Sequence, residues 1–357
     1  MQNLFSFFIH ITYLCNMQRI NWMDWAKFLA VVSVIPIHIP QELGAQPITF
    51  FEVFILATLM FNSGYLKKVG RSWKGNLKQY WNKLIIPYFI YNIVFIPYWI
   101  VKFSSESGHL PSITDMTYPI MGIFTLQATT SFSCELNLVT WFIASLLLMH
   151  LILDFCLQFR LGHWFMGIIC LLGVALYTLS KYNSFTTALV AVGTFKAIPF
   201  YYLGYLCRQN KVLDKCNLKK DIFWFAITFA LSIITFYYHA NESNFTWHMI
   251  SYWPTVFFGV LTFAYFCKLL DSVHSQVVIN YSNGTMAFIG LHWMIAGIIR
   301  YGILKPIFHV PADYVYSPTE AYLLALVVTL VLYPIILFFM KKAPWMLGRR
   351  TNAATGA

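Results

Sequence analysis

Charge is scarce in this chain. Asp, Glu, Lys and Arg together make up only 10% of its 357 residues, where soluble domains run to roughly a quarter. That scarcity excludes an ordinary water-soluble fold. Acids are scarcer than bases, 13 against 24. Other absences narrow the field further. There is no HExxH or paired-histidine spacing, so no metal is expected. There is no Walker A or GxGxxG loop, so nucleotide hydrolysis is not expected either. Seven cysteines form no CxxC spacing or even-numbered framework, and they read as small apolar packers. No linker, low-complexity tract or clear internal repeat divides the chain.

Apolar sequence fills the space. Hydrophobic residues make up 59% and aromatics 19%, with mean hydropathy +0.63. A spanning helix needs roughly 20 mostly apolar residues. Runs near that length recur at 22–39, 48–66, 84–101, 138–157, 164–180, 185–206, 222–239, 251–270, 284–301 and 320–340. The expected fold is an all-α integral membrane protein, a polytopic bundle of about ten transmembrane helices. Residues 19–343 form one domain. Residues 1–18 read as an apolar leader or a mis-assigned start, with Met17 the alternative, and 344–357 as a tail.

Lys and Arg set the orientation. They gather between the second and third runs (Lys67, Lys68, Arg71, Lys74, Lys78, Lys83), between the sixth and seventh (Arg208, Lys211, Lys215, Lys219, Lys220) and after the last (Lys341, Lys342, Arg349, Arg350). These loops lie on one side, so both termini are expected in the cytoplasm. The net charge of +11 is then a topological signal, and no nucleic-acid partner is expected.

The first run, DWAKFLAVVSVIPIHIP at 24–40, carries polar groups in an apolar helix. Lys27 and His38 are eleven residues apart, nearly three whole turns, so they share a face about 16 Å apart along the axis. Asp24 leans to the same side. Two readings fit Asp24 and Lys27: an interfacial ion pair with a snorkelling lysine, or part of a polar stripe facing the bundle interior. Pro36 removes a helical hydrogen bond just before His38, which favours a wet cavity there.

The same residues carry a family resemblance. A basic residue, ten intervening residues and a histidine in the first span, preceded by Asp24, resemble the signature of the membrane acyltransferase 3 family. FNSGYLKK at 61–68, KLIIPY at 83–88, TWFIASLL at 140–147, PFYYLGYLCRQN at 199–210 and YSNGTMAFIGLH at 281–292 resemble its further motifs in order. The nearest branch is the fucose 4-O-acetylase-like one. The chain departs from the pattern at Pro36 and at 71–83, where RSWK stands nearest to an Arg-x-x-Arg pair.

The resemblance implies an integral protein of a bacterial inner membrane, in the cell envelope. It would move an acyl group, usually acetyl, from acetyl-CoA to a hydroxyl of a surface or exported glycan such as a polysaccharide. The partners would be acyl-CoA, a glycan acceptor and membrane lipid. His38 is the expected base or acyl carrier, since a sugar hydroxyl needs a base in the histidine range. Glu52, matching His38 in depth, is the expected orienter, with an idle hydrated carboxylate as the alternative. Lys27 would draw the thioester toward His38, with Asp24 beside it. Lys83, Arg71 and Lys74 are candidates for the donor phosphates. His292 reads as deeper than His38, lining the donor channel or bonding between helices, and direct pairing of the two is not expected. Arg300 would meet the acceptor or Glu52, and Trp141 would stack a sugar ring or anchor the interface. Asn62 and Ser63 would polarise the thioester or simply pack. A transporter or flippase for a sugar or lipid-linked glycan is the competing reading, using the same buried charges as a relay.

Overall fold

The computed structural model describes residues 19–41, 48–67, 73–125, 136–182, 189–214, 217–311 and 314–349. The leader at 1–18, Arg71 and the end of the tail lie outside these residues. Among the described residues the fold is helical, with no strand and one isolated bridge between Gln41 and Tyr316. The first two helices are α1 (Asn21–Ile37) and α2 (Ile48–Tyr65). A short α3 (Trp73–Tyr80) continues through a π-turn, Trp81–Ile85, into α4 (Ile86–Ser107). Then come α5 (Ile113–Phe124), a 3₁₀ turn at Leu138–Thr140, α6 (Trp141–Cys156), α7 (Gly162–Tyr182), α8 (Leu189–Gln209), α9 (Leu218–Asn241) and α10 (Phe245–Leu269). The chain closes with α11 (Gln276–Asn283), α12 (Thr285–Ile299), a π-turn at Arg300–Leu304, α13 (Lys305–Phe308), α14 (Pro318–Lys342) and a 3₁₀ turn at Pro344–Leu347.

Local sequence starts and stops these helices. Ser112 with Asp115, and Ser317 with Glu320, form capping boxes, which satisfy first-turn N–H groups that lipid would leave bare. Asn217, Asn244 and Ser275 cap α9, α10 and α11 with their side chains. Gly108 ends α4 at φ +78°.

Among the described residues, seven segments are long and apolar enough to cross a membrane: Gly75–Ser107, Leu138–Cys156, Gly162–Lys181, Leu218–Asn241, Phe245–Leu269, Thr285–Phe308 and Pro318–Lys342. The other three expected runs are occupied by α1, α2 and α8. The first two are short, at 17 and 18 residues, and α8 carries Lys196 and Arg208. Burial separates the periphery from the centre. Only 17% of the most apolar stretch of Leu218–Asn241 is buried, against 56% for Thr285–Phe308. The exposed face of α9 presents Ile222, Phe223, Phe229, Ile233, Ile234 and Tyr237, a belt that suits lipid and would be a liability in water. The hub is α1, which packs against α2, α10, α11, α12 and α14.

Glycine sets the α2–α8 contact. A Cβ on Gly64 would fall 1.9 Å from the carbonyl oxygen of Tyr201, and one on Gly204 would fall 2.1 Å from that of Phe61. Both obstacles are backbone, so no side chain can swing away. Gly64→Ala is expected to destabilise the protein by about 1–3 kcal/mol, the usual range for overpacking. Thermal unfolding in detergent checks this, and an unchanged Tm would refute it.

Candidate active site

The site begins with a polar knot at the lysine- and arginine-rich end of α1. Asp24 is 4% exposed and accepts from Arg19 Nε (2.5 Å) and a second Arg19 nitrogen (3.0 Å), and from Ser282 Oγ (2.5 Å). Lys27 Nζ stands 3.9 Å from the same carboxylate and donates to the Ser282 carbonyl at 3.4 Å. Asp24 thus ties α1 to the end of α11.

This knot aligns two helices. From Lys27 the chain rises eleven residues along α1 to His38. From Ser282 it rises ten residues, nearly all in α12, to His292. At 1.5 Å per residue the climbs are about 16 Å and about 15 Å, so the two histidines arrive at one depth. Their ring centroids are 5.3 Å apart, with planes tilted by 40°. The expectation that His292 lies deeper and unpaired is corrected here. Chain counting assumed that the ninth run enters the membrane at residue 284, but α11 has already carried Ser282 to the depth of Lys27.

The tautomer of His292 follows from its partners. Nδ1 lies 2.8 Å from the Phe288 carbonyl and 3.1 Å from that of Ile289. Carbonyls only accept, so Nδ1 carries the proton and Nε2 is a bare lone pair. The residue is 3% exposed, and Nε2 has no hydrogen-bond partner among the described residues. A buried acceptor without a donor is costly, and the imidazole of His38 is its neighbour.

His38 stands just past the last turn of α1, where its backbone N–H donates to the Ile35 carbonyl at 3.0 Å and Pro36 interrupts the helix. Its side chain opens on a cavity of ≈ 340 Å³ lined by Ile37–Pro40, Leu138, Val139, Trp141 and Trp293. The far wall is pinned by Asn137, whose amide donates to the carbonyls of Gly290 (3.0 Å) and Tyr91 (3.3 Å). Trp141 follows the 3₁₀ turn, and its ring packs so closely on Gly193 that a Cβ there would sit 1.9 Å away. Trp293 stacks on Phe95 at 5.6 Å. Arg300 lies at the same end. Its guanidinium is 5.5 Å from the Tyr316 ring, and the Tyr316 N–H donates to the Pro40 carbonyl at 2.9 Å.

Sequence reasoning missed Asn137 and Trp293. The available signals were an asparagine opening an apolar run and a tryptophan beside a buried histidine. Glu52 is the largest correction. It is exposed and forms no hydrogen bond with His38 among the described interactions. Ile55 and Leu59, on the same face one and two turns further along α2, are buried, so Glu52 is exposed by its place near the start of the helix and not by the rotation of α2. Ser63 spends its hydroxyl on the Leu59 carbonyl at 2.9 Å. Asn62 is 2% exposed, and neither of its amide atoms finds a partner among the described residues.

At the basic end, Lys83 lies in the π-turn before α4, and its charge reaches Lys27. Lys74 lies in α3, which is held down by Asp154 of α6. That carboxylate accepts from Lys67 (2.6 Å), Tyr80 (2.5 Å) and Asn76 (3.0 Å). Arg71 lies outside the described residues. Among those residues no group of three His, Cys, Asp or Glu side chains comes together.

Comparison with curated proteins and with solved structures gives no match. The family described as an acyltransferase domain matches residues 20–338, almost the whole described helical domain. With its apolar helices and this match over residues 20–338, the chain is an integral membrane acyltransferase of the acyltransferase 3 family.

Proposed function

We propose that this acyltransferase takes an acetyl group from acetyl-CoA and esterifies a hydroxyl of a cell-envelope glycan, in the manner of the fucose 4-O-acetylase-like branch. The basic end faces the cytoplasm and receives the donor, with both termini on that side and about ten crossings in all. The cavity beside Trp141 and Trp293 receives the acceptor, and the membrane is a bacterial inner membrane. The observation that carries this reading is the pairing of His38, which lines that cavity, with buried His292 beside it, one polar stripe above Lys27.

In this mechanism the acceptor hydroxyl attacks the thioester carbonyl carbon. A C–O bond forms, the C–S bond breaks, and His38 takes the hydroxyl proton and returns it to the departing coenzyme A sulfur. His292 Nε2 is unpartnered among the described residues of the resting structure; as His38 becomes an imidazolium, it turns an N–H to that lone pair, which favours the charge as an orienting group does in nucleophile–base–orienter triads. Lys27 and Lys83 attract the anionic donor, and Asp24 sets the position of Lys27. Trp141 and Trp293 offer flat apolar faces to a sugar ring, and Arg300 donates to its hydroxyls at the rim. Arg71 and Lys74 remain further candidates for the donor phosphates.

The test is thiol release. Purified protein in lipid nanodiscs, given acetyl-CoA and envelope oligosaccharides, is expected to free coenzyme A and to form O-acetyl esters visible by proton NMR. Loss of the same ester signal from the glycans of a deletion strain would identify the natural acceptor. Uptake of a sugar or lipid-linked glycan with no thiol release would overturn the reading in favour of a transporter.

A further inference from the structure

Beyond the matched domain, the chain does not simply trail away from α14. The 3₁₀ turn Pro344–Leu347 folds back against the π-turn Trp81–Ile85, α4 and α12. Met346 and Leu347 are buried, and the hydroxyl of fully buried Tyr91 donates to the Met346 carbonyl at 2.8 Å. Gly348 follows at φ +67°, a conformation that favours glycine. A Cβ there would lie 2.7 Å from the Cα and carbonyl oxygen of Lys83. The Arg349 N–H then donates to the Pro344 carbonyl at 3.0 Å and closes the hook.

The hook delivers a charge. Arg349, Lys83 and Arg19 all act electrostatically on Lys27, and the opposing charge on it is that of Asp24. Asp24 is already engaged by Arg19 and Ser282. Arg349 is exposed, and partial burial with Arg19 alongside holds its guanidinium below the ordinary pKa. Gathering like charges around a partly buried lysine is unfavourable by itself, and a bound oxyanion reverses the sign.

We propose that the C-terminal hook Pro344–Arg349 is a binding element of the donor site, in which Arg349 joins Lys27 and Lys83 to hold a phosphate group of the acyl donor. This rests on the acyl-CoA reading above and deepens it. Gly348 is a positioning residue, since its lack of a side chain lets the hook seat on the backbone of Lys83.

The experiment measures binding of coenzyme A to the full chain in neutral phosphatidylcholine nanodiscs by calorimetry. Arg349→Ala is expected to weaken coenzyme A about tenfold or more, the effect of losing one charge-assisted phosphate contact, and to leave the phosphate-free fragment pantetheine unchanged. Arg349→Lys should stay within about threefold of the starting protein. Gly348→Val keeps every charge but displaces the hook, and should weaken coenzyme A as Arg349→Ala does. Unchanged coenzyme A affinity in both Arg349→Ala and Gly348→Val, with Tm preserved, overturns the proposal. So does a result in which Arg349→Ala keeps coenzyme A but loses phosphatidylglycerol, which would make this a lipid-headgroup site. If the unaltered protein fails to bind coenzyme A at all, it is the donor reading that falls.

Discussion

His38→Ala is expected to lower kcat for acetyl transfer by about 10³-fold while changing the KM for acetyl-CoA by less than about threefold. The reasoning is geometric. His38 stands at the cavity, more than ten residues above the charges that would hold the donor, so its removal strips the base without touching the phosphate contacts. His292 gives a finer test. Its Nδ1–H is committed to the Phe288 and Ile289 carbonyls, and His292→Asn can keep that donation with its side-chain amide while deleting Nε2. We expect a fall of about 10²-fold in kcat with Tm preserved, because a positioning partner is worth less than the base it orients. A His38→Ala protein retaining more than a tenth of the rate would remove His38 from the chemistry. A fully active His292→Asn would break the pairing argument. Glu52→Gln, by contrast, should transfer acetyl at the normal rate, since the carboxylate is exposed and not bonded to His38.

The largest expected loss of stability comes from a different place. Asp221→Ala should destabilise the protein by about 3–5 kcal/mol, the range for leaving one member of a buried ion pair behind. Asp221 and Lys268 are each 2% exposed in their side chains, with Oδ1 and Nζ 2.8 Å apart. The pair joins α9 to α10 near their basic ends, and Asp221 also accepts the Asn217 N–H at 3.0 Å. The ammonium that remains is buried, 2% exposed in its side chain, and loses its countercharge. The double change Asp221→Leu with Lys268→Met removes both charges and should recover most of the loss, as apolar replacement of buried pairs commonly does. Thermal unfolding in detergent reads both, and equal Tm values for Asp221→Ala and the unaltered protein would refute the assignment. Acetyl transfer by the protein that remains folded should be normal, because neither residue touches the histidine cavity.

Some of the site was legible in the chain and some was not, and the division has a physical basis. Spacing within one helix is a local quantity, so the expectation that Lys27 and His38 share a side came from 3.6 residues per turn, and the structure sets His38 just past the last turn of α1. A tryptophan at the mouth of α6 was readable in the same way. Relations between helices were not readable, because depth and rotation depend on where each helix is anchored. The bond from Ser282 to Asp24 raises α12 until His292 meets His38, and nothing in the spacing of either segment announces it. Glu52 is exposed near the start of α2 while Ile55 and Leu59 on the same face are buried, a difference that depends on what packs around that end of the helix. Asn137 escaped notice because its partners are backbone carbonyls of Tyr91 and Gly290, far apart in the chain. The role of Arg349 escaped because a basic tail reads as a topological signal until its fold-back against Lys83 is seen.

The amino-acid sequence by itself determined the solvent, the helical class and the polar stripe of α1. Long apolar runs can satisfy their backbone in lipid only as helices, and a helix fixes its own faces. Which faces meet was decided by the tertiary structure. Buried polar groups must find partners wherever the chain can bring them. Asp24 found Ser282, the imidazole of His292 came to rest against that of His38, and the hook found the backbone of Lys83. Each of these meetings joins residues some 250 positions apart, a distance over which helical periodicity carries no information.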